Sequence, residues 1–196
     1  MEKSEMQPIG PLMIEHRLIE RLIALMQREL TRMKDNIAVD REFAFVDPVF
    51  IDTAVDFMKT YADRGHHGKE EDILFAELAK KDLAPEHRQT MEELLSDHAW
   101  GRRTTASLVE AKNDFLLDKA GALDDLLLHL EELVVFYPRH IEKEDKKFFL
   151  PCMEYFSAAE KAQLLAKMAE FDRQLIHEKY RGIVEGIERH GACHIK

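Results

Sequence analysis

Two stretches of the sequence place a histidine and a glutamate one helical turn apart, a spacing suited to holding a metal ion. The stretch YADRGHHGKEEDILF contains His67 and Glu71, and YPRHIEKEDKKFF contains His140 and Glu144. Side chains at positions i and i+4 of a helix lie about 5–6 Å apart, so both side chains of a pair reach the same ion. Both segments continue to a phenylalanine and share the pattern HxxxExxxF.

The direction of each side chain follows from the turn of an α-helix, which is about 100° per residue. Counted from Phe50 and Phe57, which precede the first stretch, this turn places His67 and Glu71 on the inward face. The same geometry turns His66 and Glu70 roughly the opposite way. We therefore predict that these two neighbours lie at the surface or only support the ligands.

The second segment lies in an apolar stripe that contains both His140 and Glu144. Asp145 is turned about 100° away from this stripe, so Glu144 fits the inward face better. Tyr137 precedes the histidine by about one turn on the same face. It either orients a ligand or belongs to the core.

Two other helical segments each contribute one inward histidine, His16 and His98, and each of these follows an acidic residue, Glu15 or Asp97. The chain thus divides into two halves, each with a single-histidine helix followed by an HxxxE helix. This is a weak internal repeat with pseudo-twofold character.

Four inward histidines and two inward carboxylates predict a two-metal site, because a buried ionised carboxylate is costly unless it is paired or binds metal. Helical bundles build such sites from inward side chains of facing helices. We predict that the histidines pair in chain order, first with second and third with fourth, and that both glutamates bridge. The predicted ligands are His16, His67, Glu71, His98, His140 and Glu144.

Mixed nitrogen and oxygen ligation above four-coordination favours iron, with manganese or zinc less suitable. We therefore predict two non-heme iron ions. Ferritin-like di-iron bundles need Glu-x-x-His, and zincins need HExxH; the sequence contains neither. A bundle whose site is vestigial or holds zinc stays open, because a single inward histidine is often only a hydrogen-bonded core residue.

The rest of the sequence favours long helices, since 196 residues contain only eight glycines and six prolines. Helix starts are indicated by Asp47-Pro48, by Pro85, by Asp118 as a cap, and by the capping-box pattern SAAE at 157–160. We predict an all-α, up-down-up-down four-helix bundle with an additional C-terminal helix. Residues 1–196 form one domain, with a core at about 9–156 and the last helix at about 157–190.

The charge and the cysteine content limit the class of partner and the compartment. A formal net charge of −10 argues against nucleic acid and anionic membranes as partners. The N-terminus lacks the apolar segment of a signal peptide, and no run of 18 apolar residues occurs. Two cysteines without a CxxC motif are typical of reduced thiols. These features predict a cytoplasmic protein.

Four motifs together resemble a known family: EH in the first helix, DRGHHGKEEDILF, SDHAWGRR and YPRHIEKEDKKFF. They are similar to bacterial hemerythrin-like proteins with the HHE cation-binding domain, over about residues 9–156. The resemblance implies a di-iron centre held by the six residues named above. Oxygen-carrying hemerythrins have a fifth histidine one turn before the third-helix ligand. Leu94 stands at that position here, which favours reactivity or sensing over reversible oxygen carriage.

The resemblance and the residues together leave two functions open. The first is a di-iron protein that binds or reacts with O2, peroxide or nitric oxide. The second is an iron- or oxygen-sensing module that acts through a protein partner. The sequence shows no nucleophile or general base that would define a reaction, so enzymatic activity is left open.

Overall fold

The computed structural model describes residues 7–41 and 44–191, with side chains described as far as Leu175. Within these ranges the chain forms five helices and no strand. We label them α1 (Ile9–Val39), α2 (48–78), α3 (Pro85–Leu116), α4 (122–152) and α5 (Ala158–Gly191). The first four form the predicted up-down-up-down bundle, and α5 is the predicted additional helix. None of the described helices is long and apolar enough to cross a membrane.

Most of the predicted helix starts are confirmed. Asp47 caps α2, since its carboxylate accepts hydrogen bonds from the backbone N–H of Val49 and Phe50. The capping box of α5 forms between Ser157 and Glu160 in both directions. The prediction for α4 is wrong: this helix begins at Ala122, after a turn in which Asp118 and Gly121 both have positive φ.

Helix α2 departs from α-helical geometry over much of its length. It consists of α-helix at Pro48–Phe57, π-helix at Met58–His67 and again at Glu70–Phe75, and a final α-turn at Ala76–Leu78. In a π-helix each N–H bonds to the carbonyl five residues earlier, so the turns are wider. Each residue then advances by less than the about 100° of an α-helix. The inward-facing positions predicted for α2 therefore shift along the chain.

Helix α4 contains a shorter π-helical segment, Glu144–Phe148, between the α-helices Ala122–Lys143 and Phe149–Cys152. Pro138 lies inside the first of these helices, which continues through it. The backbone N–H of Glu144 still bonds to the carbonyl of His140. The i, i+4 relation predicted between these two residues is therefore retained.

Two apolar clusters fill the interior of the bundle. The first packs the later part of α1 against the start of α2 and the middle of α4, with residues such as Met26, Ile51 and Leu130. The second joins the start of α1 to the ends of α2 and α4 and includes Leu164 and Met168 of α5. In chain order, the inward histidines of α1, α2 and α3 lie between the contributions to these two clusters, and His140 of α4 lies near the end of the contribution to the first, before Ile141. Apolar layers on both sides keep that region away from bulk water.

Helix α5 packs closely on α2 because two glycines there lack side chains. A Cβ atom at Gly68 would lie 2.8 Å from Cζ of Phe171, and one at Gly65 would lie 3.3 Å from Cδ2 of Leu175. Lys167 of α5 also forms an ion pair with Glu77 of α2, 2.6 Å apart. The C-terminal helix is thus held against the π-helical part of α2.

Candidate metal centre

Seven buried side chains from the four bundle helices converge in two groups. His67, His98 and His140 form one group, and in each group the potential ligand atoms lie within 4.8 Å of one another. The second group combines two histidines with two glutamates. Its members are His16, His66, Glu70 and Glu144.

The two carboxylates connect the groups. Glu70 places one oxygen 3.2 Å from Nε2 of His66 and the other 3.4 Å from Nε2 of His98. Glu144 places one oxygen 3.1 Å from Nε2 of His16 and the other 3.3 Å from Nε2 of His140. Each glutamate therefore has one oxygen beside each group, as a bridging ligand would.

The atoms that face one another in the centre lack hydrogen-bond partners. Among the residues that the structure describes, eight buried atoms have none: Nε2 of His16, His66, His98 and His140, and both carboxylate oxygens of Glu70 and Glu144. A buried polar group without a partner costs about 1–3 kcal/mol, so eight in one place need compensation by a bound cation or by protons. Two donor atoms about 2.1 Å from one ion, at roughly a right angle, are about 3.0 Å apart. The distances above are close to this value, so the residues fit bound metal.

Every inward histidine is held from behind by a carboxylate. Because a carboxylate only accepts hydrogen bonds, Nδ1 of each imidazole donates its proton to it and Nε2 faces the centre. The Nδ1–oxygen distances are 2.7 to 3.4 Å. The five pairs are His16–Asp145, His66–Glu15, His67–Asp63, His98–Glu71 and His140–Asp97.

Four cations hold these outer carboxylates in turn. Arg102 binds both Asp63 and Glu71, and Lys143 lies 2.8 Å from Asp97. The remaining two pairs are Arg17–Asp145 and Lys69–Glu15. The orientation of each imidazole is thus fixed by charged neighbours on a second helix.

The outer contacts repeat with the pseudo-twofold character predicted from the sequence. Glu15 precedes the histidine of α1 but binds His66 of α2, and Asp97 precedes the histidine of α3 but binds His140 of α4. The acid that follows each of the two central glutamates contacts a histidine of the other half. Glu71 holds His98 of α3, and Asp145 holds His16 of α1. Each half therefore holds the single-histidine helix of the other half, whereas His66 and His140 are held from within their own halves.

The charges of the metal-free centre are set by these neighbours. Burial lowers the pKa of His16, but the neighbouring carboxylates of Asp145 and Glu144 outweigh it and raise the pKa to about 10. His98 behaves in the same way and reaches about 10 beside Glu144 and Glu71. Burial lowers the pKa of His67, and the other imidazoles lower it further. Metal entering the centre must therefore displace protons.

The chain matches the family model of the hemerythrin HHE cation-binding domain over residues 7–150. It belongs to this family. The matched part contains α1 to α3 and nearly all of α4, and therefore every residue of the two groups. No curated protein and no solved structure matches the chain significantly. Helix α5 lies outside the family match.

The two groups bring together five of the six residues predicted from the sequence: His16, His67, His98, His140 and Glu144. Glu71 lies outside the two groups. Its side chain is 26% exposed and accepts hydrogen bonds from Nδ1 of His98 and from Arg102. Asp145 likewise lies on the outer side of the centre, as expected.

Two residues predicted to lie at the surface or in support are buried members of the centre. His66 is 1% exposed and Glu70 is 0% exposed, so the predicted surface position is wrong. The predicted pairing of His16 with His67 also differs from the structure, which groups His16 with His66. The physical reason is the π-helix, which brings both adjacent histidines of α2 inward.

A feature of the sequence marks these two residues. Aligned at the bridging glutamates, HHGKEED at 66–72 and HIEKEDK at 140–146 share His-x-x-Lys-Glu-acid. This alignment pairs His66 with His140 and Lys69 with Lys143, and both lysines bind the acid that holds the paired histidine. His67 then has no counterpart in the other half and supplies the fifth imidazole that Leu94 does not.

A cavity of about 330 Å³ reaches the centre between α2, α3 and α4. His67 and Tyr137 both form part of its wall, with their rings parallel at a centroid distance of 6.5 Å. Tyr137 is 3% exposed, and burial raises the pKa of its hydroxyl. The side chain is thus part of the core and also faces a space beside a ligand candidate.

Proposed function

We propose that this hemerythrin-family protein holds two iron ions and uses them to bind or react with a small oxidant such as O2, peroxide or nitric oxide. The observation that carries the proposal is the set of eight partnerless buried atoms contributed by all four bundle helices. Nothing but a cation of more than one charge, or several protons, would compensate so many inward lone pairs and negative charges.

The proposed ligands are divided between the two ions by the groups described above. His16 and His66 serve one ion, the other three histidines serve the second, and Glu70 and Glu144 bridge. This assignment replaces the bridging role predicted for Glu71. One ion then has five protein donors and the other has four. If each ion is six-coordinate, both have a position left for an exogenous ligand.

The donor set supports iron over the other metals. It combines imidazole nitrogen with carboxylate oxygen and includes no thiolate, and structural zinc is almost always four-coordinate. Iron held in this way supplies exchange between the ferrous and ferric states. The chain's own contribution is to keep each Nδ1 protonated through its outer carboxylate, which fixes the ring and raises the basicity of Nε2.

The test is the metal content of protein purified without a metal-affinity tag and loaded anaerobically with ferrous iron. We expect two irons per chain, as a binuclear site requires, and a change in the visible spectrum when O2, peroxide or nitric oxide is added. Zinc alone, or no metal after ferrous loading, would contradict the proposal and favour a vestigial site. Iron that does not respond to any of the three oxidants would contradict its second part.

We further propose that the partner is a small molecule that enters by the 330 Å³ cavity, and that nucleic acid and membranes are not partners. The net charge of −10 supports this exclusion. A cytoplasmic location is proposed on the same basis as before, the cysteine content. Cys152 agrees with it, since it is a free and buried thiol.

A variant of Gly101 tests the route of entry. Gly101 lines the cavity, and a Cβ atom there would point to the hydroxyl of Tyr137 at 3.5 Å. We expect Gly101→Met to slow azide binding to the diferric protein at least about tenfold with unchanged iron content, because the added side chain fills the passage. Stopped-flow absorbance would measure the rate.

The matched control is Ala111→Met, which adds a similar side chain to a buried position of α3 outside the cavity wall. It should leave the azide rate unchanged. Equal rates in the wild type and in Gly101→Met, with normal iron content, would show that azide enters elsewhere.

The second candidate function is the iron- or oxygen-sensing module. The observation that favours it is the ion pair between Lys69 of α2 and Asp172 of α5, because it connects the centre to the helix beyond the family match. A sensor requires the protection of α5 from protease to change with iron or redox state, whereas constant protection favours the first function.

A further inference from the structure

A buried lysine connects the C-terminal helix to the metal centre. Lys69 is 1% exposed, and its Nζ lies 2.7 Å from a carboxylate oxygen of Asp172 on α5. The same Nζ binds Glu15 of α1. Glu15 in turn accepts the hydrogen bond of Nδ1 of His66 at 2.9 Å. Four charged or polar groups therefore run without interruption from α5 to a side chain of the centre.

The other half of the bundle repeats this chain of contacts without its last member. Lys143 binds Asp97, which holds His140, and within the described side chains, which end at Leu175, no residue of α5 forms an ion pair with Lys143. Lys143 has instead a longer contact of 3.6 Å with Glu93 on the neighbouring helix α3. Helix α5 therefore adds a contact to one of two related halves of the centre.

The ammonium group of Lys69 cannot point elsewhere at low cost, because a buried cation needs its partners. If Asp172 were lost, Glu15 would remain the sole described partner of Lys69. The attraction between the ammonium group and Glu15 would then increase, and the hydrogen bond that His66 donates to Glu15 would be weakened or reoriented. Outer partners of this kind change metal affinity by about 10–100-fold when they are removed directly.

We propose that Asp172 is a positioning residue for His66, acting through Lys69 and Glu15, so that retention of the ion beside His16 and His66 depends on the docking of α5. This inference rests on the proposed function, since it concerns the same centre. By thermodynamic linkage, docking of α5 raises the affinity for the metal by the same factor by which bound metal raises the equilibrium constant for docking. Helix α5, which lies outside the family match, then helps to set how tightly this ion is retained.

The experiment compares Asp172→Asn with Lys167→Ala in the full-length, iron-loaded protein. Both changes break one ion pair between α5 and α2, but only the first pair continues to the centre. A chelator in excess removes the iron, and absorbance follows the two ions separately. We expect Asp172→Asn to speed the release of one ion about three- to tenfold, and Lys167→Ala to match the wild type. Asp172→Glu should restore the slow rate.

A second readout separates positioning from simple support of the fold. Iron should protect α5 from protease in the wild type and in Lys167→Ala, and the protection should be lost in Asp172→Asn. Equal release rates in both variants, or equal acceleration of both ions, would overturn the inference while leaving the metal site intact. A wild type without bound iron would instead overturn the proposed function itself.

Discussion

Replacing Glu70 by glutamine is expected to weaken iron binding by more than about 100-fold and to reduce the iron content below two per chain. Each oxygen of Glu70 faces a different group of the centre, 3.2 Å from His66 and 3.4 Å from His98. Glutamine keeps the volume but removes the negative charge and one of the two acceptor oxygens. The loss of a direct ligand should exceed the 10–100-fold that outer partners contribute.

The same change at Glu71 is the matched control, because it alters the adjacent residue in the same helix. Glu71 holds Nδ1 of His98 from the outer side. We expect Glu71→Gln to keep two irons per chain at saturating metal and to lower affinity by about 10-fold or somewhat more. Metal analysis and competition with a chelator measure both effects. The opposite order, with Glu71→Gln losing iron and Glu70→Gln retaining it, would restore the ligand predicted from sequence.

Metal loading is also expected to raise the melting temperature substantially. The described part of the interior contains eight buried atoms without a hydrogen-bond partner, and the unfolded chain does not preserve the site. A ligand at 100 times its Kd stabilises the folded state by about 2.7 kcal/mol. At roughly 2–4 °C per kcal/mol for a chain of this size, one ion adds about 5–10 °C. The second ion adds to this.

Calorimetry with and without ferrous iron under anaerobic conditions measures the shift. Glu70→Gln should lose most of it. Glu142→Gln, in which a surface glutamate paired with Lys146 is neutralised, should keep all of it. A melting temperature that does not depend on iron in the wild type would mean that the metal binds equally well to the unfolded chain or does not enter the centre.

The sequence was sufficient for the features that depend on local patterns. The stripe in α1 that contains His16 is regular α-helix, and the α-helix that contains His140 runs to Lys143, immediately before Glu144. Their inward residues therefore follow from a turn of about 100°. The capping residues Asp47 and Ser157 act within a few positions of themselves. Such features do not need the rest of the protein to be known.

The internal repeat could also be read from the sequence, but its register was ambiguous. Matching the phenylalanines pairs His67 with His140, whereas matching the lysines pairs His66 with His140. Only the second register places equivalent residues in equivalent contacts, since Lys69 and Lys143 bind equivalent acids. The spacing of apolar residues was the less reliable guide to the register, because a wide π-helical turn changes that spacing. The contacts between each lysine and an acid of another helix keep equivalent residues in equivalent positions.

The sequence by itself determined the all-helical bundle, the family and five of the seven inward residues. The tertiary structure decided the rest at Met58–His67 and Glu70–Phe75, where the π-helix advances each residue by less than an α-helix does. The deficit accumulates over the ten residues of the first segment, so that Glu70 takes the inward place expected of Glu71 and His66 joins His67 inside. Such a backbone is stable only where neighbouring helices pack against it. Here the histidines and glutamates of the other bundle helices face α2 from one side, and α5 packs on its glycines from the other. A rule of about 100° per residue applied to one segment takes no account of either contact.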